Sequence, residues 1–149
     1  MKQKTIKSEV SLKGTGLHTG KDANICIKPA PENHGIKFQR IDLEGKPFIN
    51  ADIGKVTTTL RSTTLQQGKA EITTVEHVMS ALYGLHIDNV LIEIDGPEMP
   101  ILDGSAQIYV EAMLKAGIEE QTKDREYFIL EEPIVYEDEA TGTEIMALP

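Results

Sequence analysis

Hydrophobic and polar positions alternate through the first half of the chain, which is the period of half-buried β-strands. KQKTIKSEVSL alternates weakly and ANICIKPAP strongly, so we predict a hairpin of two strands joined by the glycine-rich connection KGTGLHTGKD. GIKFQRID predicts a third strand, and GKPFINADIGKV an extended but irregular segment. A second hairpin is predicted in RSTTLQQGKAEITT, with QQGK as its turn.

The middle of the chain changes to the helical period. A first helix is predicted within ITTVEHVMSALYGL, because its apolar residues gather on one side of a 3.6-residue wheel: Val75, Val78, Met79, Leu82 and Leu85. A second helix is predicted from about Ser105 to Ala116, with Gly117 as its stop. Both helices therefore have one apolar face that must pack against another layer.

Strand character returns between and after the helices. HIDNVLIEIDGPEMPI places Val90, Ile92 and Ile94 on one face of a strand, and the tail from residue 127 reads as further strands. This order predicts an α+β fold, a two-layer sandwich whose mixed, mainly antiparallel sheet carries two helices on one face. TKDRE suggests a boundary, so we expect a first domain at 1–126 and opening strands of a second domain at 127–149.

Composition narrows the class of function. The formal net charge of −9 disfavours nucleic-acid binding, which needs a basic surface. The single cysteine, Cys26, cannot form an internal disulfide and is expected to be a buried strand residue, which suits a reducing cytoplasm. Neither a signal-peptide core nor an apolar run long enough to span a bilayer is found. We therefore expect a soluble cytoplasmic protein with no integral membrane segment.

A glutamate directly precedes a histidine in the first turn of the first predicted helix. Thr73 and Glu76 match the S/T-x-x-E capping box, and on that interpretation His77 is an ordinary surface residue. The alternative interpretation is catalytic. Adjacent side chains on a helix diverge by about 100°, so His77 would bind a metal such as Zn²⁺ while Glu76 would take a proton from the attacking water.

The histidines do not complete a metal site by themselves. A catalytic zinc ion takes about three protein ligands in addition to water. The four histidines show no H-x-H, H-x-x-x-H or H-E-x-x-H spacing: His18, His34, His77 and His86. Further ligands would have to come from loops that the pattern does not place, or from residues beyond Pro149.

Glycine is concentrated in GTGLHTGK, where three glycines in seven residues indicate a backbone that approaches something closely. The stretch fails the P-loop pattern, because Asp22 follows Lys21. It also fails the dinucleotide fingerprint, because a strand and not a helix follows it. A tight turn between strands and a ligand-facing loop are equally good interpretations.

Asp103 lies in ILDGSA, just before the second predicted helix. Asp103 or Ser105 would serve simply as the N-cap of that helix. Alternatively, the Asp103 carboxylate would orient a neighbouring group in a site. The local sequence favours the N-cap interpretation over a role of Asp103 in a site.

Taken together, GTGLHTGK, TTVEH and IDNVLIEIDGPEMPILDGSA form a specific combination, although each alone is weak. In this order they resemble the N-terminal half of UDP-3-O-acyl-N-acetylglucosamine deacetylase, a zinc-dependent enzyme of lipid A synthesis in Gram-negative bacteria. The likeness extends to KPAP, RIDL and TTLRSTTL and covers essentially the whole chain. It implies two domains of similar βα topology, each a sheet backed by two helices, with the active site between them.

The resemblance also implies residue roles. T-V-E-H would supply a general base at Glu76 and one Zn²⁺ ligand at His77. Two further ligands, a histidine and an aspartate, and a histidine that stabilises the oxyanion belong to later motifs that these residues do not include. The family's chain is considerably longer, and in some bacteria it is fused to a dehydratase. The 149 residues are therefore expected to be a truncated, inactive first part of the enzyme.

The same resemblance points to residues around the substrate, UDP-3-O-acyl-N-acetylglucosamine. Leu17 and His18 of LHTG would line the site without binding metal, and Leu60 and Ser62 of LRSTT would contact the substrate and its acyl chain. Asp103 of D-G-S-A would be a supporting carboxylate. The implied reaction hydrolyses the N-acetyl group to acetate and a free amine on the sugar.

Two further expectations concern association. Unpaired strand edges in the tail invite pairing with another copy of the chain, so we expect self-association. A different class of function also stays open, because small non-enzymatic α+β interaction domains share this arrangement. The acidic charge disfavours an RNA partner for such a domain, and that interpretation leaves TVEH and LDGSA unexplained.

Overall fold

The computed structural model describes all 149 residues and contains two α-helices, α1 (Glu76–Gly84) and α2 (Gln107–Ala116), and a 3-10 turn at Ile53–Lys55. Neither helix has the length and apolar character needed to cross a membrane. The strands are β1 (Lys2–Ile6), β2 (Val10–Thr15), β3 (Asp22–Pro29), β4 (Ile36–Arg40), β5 (Phe48–Asn50), β6 (Val56–Thr58), β7 (Thr64–Gln67), β8 (Ala70–Thr73), β9 (Val90–Ile94), β10 (Ile118–Asp124), β11 (Ile134–Asp138) and β12 (Thr143–Ala147).

The main sheet has five strands in the order β2-β3-β9-β4-β5. Only β4 and β9 are parallel, with Phe38 beside Ile92, and the other neighbours are antiparallel. The predicted α+β class with a mixed, mainly antiparallel sheet is therefore confirmed. The predicted hairpin of β2 and β3 is also confirmed, and the GTGLHTGK stretch connects its two strands.

Three smaller sheets surround the main one. β6, β7 and β8 form an antiparallel sheet that contains the second predicted hairpin, in which Gln67 pairs with Ala70. β1 pairs with β10, so the beginning of the chain lies beside residues 118–124. β11 and β12 pair only with each other.

The hydrophobic core lies between the inner face of the main sheet and the two helices. The period-2 pattern places Ile92 and Ile94 of β9 on that inner face, and both are fully buried. The helices contribute Val78 and Leu82 from α1 and Met113 from α2 to the same cluster. Full burial of one such side chain stabilises the fold by about 1.5–3 kcal/mol. The predicted helical layer is thus the second wall of the core.

The first predicted strand is in fact two strands in different sheets. β1 ends at Ile6 and β2 begins at Val10, and the Lys7 amide between them donates to the carbonyl oxygen of Gly117 at 2.8 Å. The prediction of one continuous strand was wrong because β1 pairs with β10, which is far away in the sequence. Local alternation carries no information about such a partner.

Cys26 is half-buried, so its predicted burial was wrong. Its neighbours Ile25 and Ile27 take the inward positions of β3, and alternation directs Cys26 to the outer face. The outer face is polar at this point, where Lys28 forms an ion pair of 2.8 Å with Glu93. Cys26 therefore contributes little to the core.

The β11–β12 hairpin exposes many apolar side chains. Residues 127–149 contain a run of large hydrophobic residues at least about half exposed to solvent: Tyr127, Phe128, Ile129, Ile134, Val135, Tyr136, Ile145, Met146 and Leu148. Residues before this hairpin supply every side chain of the main core cluster. The hairpin thus stands apart from the core in its packing.

Candidate functional site

Two glycines of the GTGLHTGK turn allow a close approach to another segment of the same chain. A Cβ atom on Gly14 would lie 2.9 Å from Leu102 Cδ2, and one on Gly16 would lie 2.7 Å from Glu98 Cδ. The predicted close approach is therefore confirmed, and the approached partner is the segment 98–102. The turn itself is closed by the Gly16 amide, which donates to the carbonyl oxygen of Lys21 at 2.9 Å.

Glu98 is the buried carboxylate that holds this turn, with only 1% of its surface exposed. It accepts hydrogen bonds from the backbone amides of His18 at 2.9 Å and Thr19 at 2.7 Å. The hydroxyl of Thr74 donates a third hydrogen bond to it at 3.0 Å. Burial alone would raise the pKa of Glu98, but these hydrogen bonds outweigh burial and hold the pKa below its ordinary value.

Thr74 adopts a backbone conformation that β-branched residues rarely populate. Its φ is +60°, in the left-handed region. Such a conformation costs on the order of 1–3 kcal/mol and persists only where the surroundings enforce it. The enforcing contacts are to the segment of Glu98: the Thr73 amide donates to the Pro97 carbonyl oxygen at 2.9 Å, and the Met99 amide donates to the Thr73 carbonyl oxygen at 3.0 Å.

Glu76 is the first residue of α1 but does not cap it. The N-cap residue is Val75, and no side chain accepts a capping hydrogen bond there. Glu76 Oε2 instead accepts a hydrogen bond from the backbone amide of Thr63 at 3.0 Å. Thr73 is occupied elsewhere, since its hydroxyl bonds to that of Ser62 at 2.8 Å. The capping-box interpretation was therefore wrong, because long-range partners use both side chains.

Asp103 lies in the turn that leads into α2. Hydrogen bonds from the Ser105 amide and hydroxyl, each 3.0 Å long, are the main cause that lowers the pKa of Asp103, and the charge of His77 lowers it further. Neither Asp103 nor Ser105 is the N-cap of α2, which is Ala106. The Ser105 hydroxyl nevertheless accepts from the Gln107 amide at 3.0 Å, so the two residues shape the turn that enters the helix.

The other predicted site residues differ in how firmly they are tied to this cluster. Leu17 and His18 are exposed on the glycine turn, and Glu98 fixes the turn through the His18 amide. Ser62 is half-buried and is held by the Thr73 hydroxyl. Leu60 is 85% exposed, and its amide donates only to the hydroxyl of Thr58 at 3.2 Å. No hydrogen bond links Leu60 to the rest of the cluster.

Tyr109 anchors the segment that carries Glu98 and Asp103. It is fully buried in α2, and its hydroxyl donates to the carbonyl oxygen of Pro100 at 2.6 Å. Burial raises the pKa of this phenol, so it stays protonated and remains a donor. This hydrogen bond from a buried residue of α2 thus holds the segment around Pro100 against the helix.

The donor atoms for a metal ion are incomplete within the chain. No three His, Cys, Asp or Glu side chains converge on one point. His77 offers one imidazole, and Asp103 offers one carboxylate. These are ligand types that zinc accepts, but a catalytic site needs about three protein ligands. The residues present fit one part of a zinc site and not a whole one.

Sequence reasoning did not identify Glu98, Thr63 or Thr74. A signal for Glu98 exists in retrospect: it is a lone charged residue in GPEMPIL, among apolar and proline neighbours, where a buried charge needs partners. Nothing local identifies the Thr63 amide as the partner of Glu76. The left-handed conformation of Thr74 also cannot be predicted from the neighbouring sequence, because it depends on contacts with residues 97–99.

Comparison with known proteins places these motifs in one family. The family model described as LpxC, UDP-3-O-acyl N-acetylglycosamine deacetylase, matches residues 3–149. The chain is 52% identical over 149 residues to the bifunctional enzyme LpxC/FabZ of Bacteroides thetaiotaomicron, covering all of this chain and 32% of that protein. It is 43% identical over 136 residues to the UDP-3-O-acyl-N-acetylglucosamine deacetylase of a Geobacter species, covering 91% of this chain and 45% of that protein.

A deacetylase of the same name from a Psychrobacter species is 44% identical over 134 residues, with 90% of this chain and 45% of that protein covered. The chain thus spans between about a third and just under half of the length of these relatives. The family match extends over nearly every residue that the structure describes. The chain therefore belongs to the UDP-3-O-acyl N-acetylglycosamine deacetylase family.

Proposed function

We propose that this chain is the N-terminal part of a zinc-dependent amidase that hydrolyses the N-acetyl group of UDP-3-O-acyl-N-acetylglucosamine in lipid A biosynthesis. Family membership supports the reaction class. The observation that carries the proposal is the hydrogen bonding of Glu76, the residue directly before His77. Its side chain does not cap α1 and instead accepts a hydrogen bond from the Thr63 amide. A carboxylate oriented in this way suits proton transfer.

Glu76 is the proposed general base. The Thr63 amide binds Oε2, which fixes the carboxylate relative to the LRSTT segment. Oε1 makes no hydrogen bond within the chain and can accept a proton from a water molecule. The proton for the leaving amine would come from the histidine that the resemblance places in a later motif, outside these 149 residues. The helix start keeps Glu76 at the edge of the core, where a substrate can reach it.

His77 is the proposed metal-binding residue of this chain. The chemistry that zinc supplies when bound is polarisation of the amide carbonyl and of the attacking water. The remaining protein ligands would come from residues outside these 149, because no second and third donor converge on His77 here. Asp103 would support the imidazole from the LDGSA turn, where the hydrogen bonds from Ser105 hold its side chain and lower the pKa of its carboxyl group.

Four exposed or half-buried residues are proposed to contact the substrate. Leu17 is 60% exposed on the glycine turn, next to His18, and Glu98 ties that turn to the segment before α1. Leu60 and Ser62 lie on the connection between β6 and β7, which also holds Glu76. Exposed leucines suit an acyl chain, and the polar pair suits the sugar.

The arrangement of the chain supports a proposed domain organisation. Residues 1–126 would form the first domain, and 127–149 would open a second one, since the β11–β12 hairpin pairs only with itself. Its exposed apolar residues support self-association of the isolated chain, which light scattering can test. The single cysteine supports a reducing compartment, and we propose the cytoplasm of a Gram-negative bacterium.

The test of the proposed reaction is Glu76→Gln in the complete protein. Acetate release should fall by about 10²–10⁴-fold, the usual contribution of a general base. Zinc content, measured by elemental analysis, should stay near that of the wild type, because the ligand His77 is retained. Glu71→Gln is the matched control, since Glu71 is an exposed glutamate on the neighbouring strand β8. Undiminished turnover in Glu76→Gln would overturn the assignment of the base.

A second test concerns the 149-residue chain alone. With one imidazole and no converging donors, it should retain far less than one zinc per molecule after dialysis and should release no acetate. His77→Ala should lower what little metal is bound. Stoichiometric zinc that survives both dialysis and the His77→Ala change would show that the proposed ligand is wrong.

A further inference from the structure

Glu98 is the hydrogen-bonding partner shared by two segments that both carry proposed site residues. Its Oε1 accepts from the His18 amide and from the Thr74 hydroxyl, while its Oε2 accepts from the Thr19 amide. His18 belongs to the glycine turn, and Thr74 lies two residues before Glu76. A single buried carboxylate therefore sets the position of the turn relative to the start of α1.

The path from Glu98 to Glu76 is short and passes through constrained backbone. Thr74 has a φ of +60°, so the direction in which the chain enters α1 depends on a conformation that its surroundings impose. Thr73 is held by Pro97 and Met99 on one side and by the Ser62 hydroxyl on the other.

Ser62 precedes Thr63, whose amide binds Glu76. A shift of residues 73–74 would therefore reach Glu76 both along the chain and through its hydrogen-bond partner. Two hydrogen bonds, from Ser62 to Thr73 and from Thr63 to Glu76, thus link the LRSTT segment to the start of the helix.

We propose that Glu98 is a positioning residue, which acts through Thr74 to place Glu76 and His77 relative to the glycine turn. This inference deepens the proposed function and rests on it for the turnover measurement alone. Glu98 itself touches neither metal nor substrate in this role. It fixes the distance from the glycine turn to Glu76 and His77, which are the groups proposed to contact the substrate and the metal.

The charge of Glu98 is needed, and not only its shape. All three of its partners are donors: two amides and one hydroxyl. A glutamine has a single acceptor oxygen, so in either orientation its NH₂ group would face a donor. Glu98→Gln should therefore release either Thr19 or the pair of His18 and Thr74, although the side chain keeps its size.

The fold provides a matched control for this experiment. Glu32 accepts hydrogen bonds from two consecutive backbone amides, of Thr122 at 2.6 Å and Lys123 at 2.9 Å, and from the Thr122 hydroxyl at 2.6 Å. The donors are the same in kind and number as those of Glu98. They hold β10, however, and none belongs to a segment that carries a proposed site residue.

The first readout is turnover per bound zinc in the complete protein. Glu98→Gln should lower kcat by about 10–100-fold, the effect expected of a displacement near 1 Å in a catalytic group, and should also raise KM, because the released turn carries Leu17 and His18. Thr74→Val, which removes the hydroxyl and keeps the shape, should lower kcat in the same direction. Thr74→Ser, which keeps the hydroxyl, should restore it, and Glu32→Gln should leave it unchanged.

The second readout does not depend on activity. The Thr63 amide is protected by Glu76, so its hydrogen exchange reports whether Glu76 is in place. In Glu98→Gln and Thr74→Val, mass spectrometry should show faster exchange in peptides spanning residues 14–21 and 60–66. Glu32→Gln should leave both peptides unchanged.

The outcomes separate the inference from the proposed function. If the wild-type protein releases no acetate, the proposed function fails, and the exchange experiment still decides the positioning role. Exchange at residues 60–66 that stays unchanged in Thr74→Val and Glu98→Gln would overturn the inference. So would equal losses of kcat in Glu98→Gln and Glu32→Gln, because a general loss of stability would then explain both.

Discussion

Two carboxylates of this protein accept the same set of donors in two very different regions. Glu98 and Glu32 each bind two consecutive backbone amides and one threonine hydroxyl, and the pKa of each is lowered mainly by such hydrogen bonds against the opposing effect of desolvation. Glu98 is 1% exposed and lies between the glycine turn and the segment before α1. Glu32 lies in a surface loop and fastens the strand β10.

The difference shows what burial adds to an otherwise identical set of hydrogen bonds. A surface carboxylate that loses its donors is rehydrated, whereas a buried one leaves unsatisfied groups behind. The donor to Glu98 at residue 74 is also strained, because its φ is positive, whereas Thr122 in β10 has no positive φ. Of these two carboxylates, the one that is fully buried and has a strained donor is therefore the one beside the proposed site.

The largest effect on stability is expected from Glu98→Gln. The change removes charge-assisted hydrogen bonds and leaves a buried donor unpaired, at a cost of about 3 kcal/mol in the free energy of unfolding. Urea denaturation of the wild type, Glu98→Gln and Glu32→Gln measures it, and Glu32→Gln should show a clearly smaller loss. Equal losses for the two variants would remove the distinction between the regions.

Gly16→Ala should have the next largest effect. The new Cβ atom would lie 2.7 Å from both Glu98 Cδ and Thr19 Oγ1, so either the turn or the buried carboxylate must move. We expect a loss of about 2 kcal/mol, typical of overpacking, in the same urea experiment.

The control for that change is Gly84→Ala at the end of α1, where a Cβ atom would meet nothing within 4 Å. Alanine is favoured over glycine in helices by up to about 1 kcal/mol, so this variant should be as stable as the wild type or slightly more stable. A Gly16→Ala protein as stable as Gly84→Ala would mean that the turn is free to withdraw from Glu98.

A smaller effect is expected from Thr74→Val, which removes one hydrogen bond to the buried carboxylate and keeps the β-branched shape. The expected loss is about 1.5 kcal/mol, the lower end for hydrogen bonds to charged groups. Thr122→Val is the counterpart in the Glu32 region and should leave the midpoint of thermal unfolding almost unchanged. A larger loss in Thr122→Val than in Thr74→Val would reverse the comparison.

The last prediction concerns pH. A glutamate whose pKa is lower in the folded protein stabilises the fold above its unfolded pKa of about 4.3. That contribution is lost as the pH falls through the lower, folded value. The stability difference between wild type and Glu98→Gln should therefore be largest above about pH 4.3 and shrink at lower pH. Urea denaturation across this range measures it, and a difference that grows on acidification would contradict the lowered pKa of Glu98.

Much of the fold could be predicted because it follows from local periodicity. The alternation of Val90, Ile92 and Ile94 gave β9 correctly, and the helical spacing gave α1 and α2 to within a few residues. Gly117 ends α2 as predicted, with a positive φ of 81°. These features depend on which face of an element meets the core, and that information is present in each segment.

The site could be predicted only in part, because its geometry depends on partners far away in the sequence. The glycine-rich stretch correctly indicated a close approach, but Glu98, the partner of Gly16, follows 82 residues later. Glu76 was expected to cap its own helix and instead binds Thr63. Local capping rules give way where a long-range donor offers a better hydrogen bond.

The pairing of β1 with β10 has a consequence for how the protein is made. Lys4 pairs with Glu120, and Ile6, which is fully buried, pairs with Ile118. During synthesis β1 emerges before β10 and stays without its partner until residues 118–124 have been added. Closing so long a loop is entropically costly and slow. β1 is therefore expected to be among the last strands of this fold to be paired.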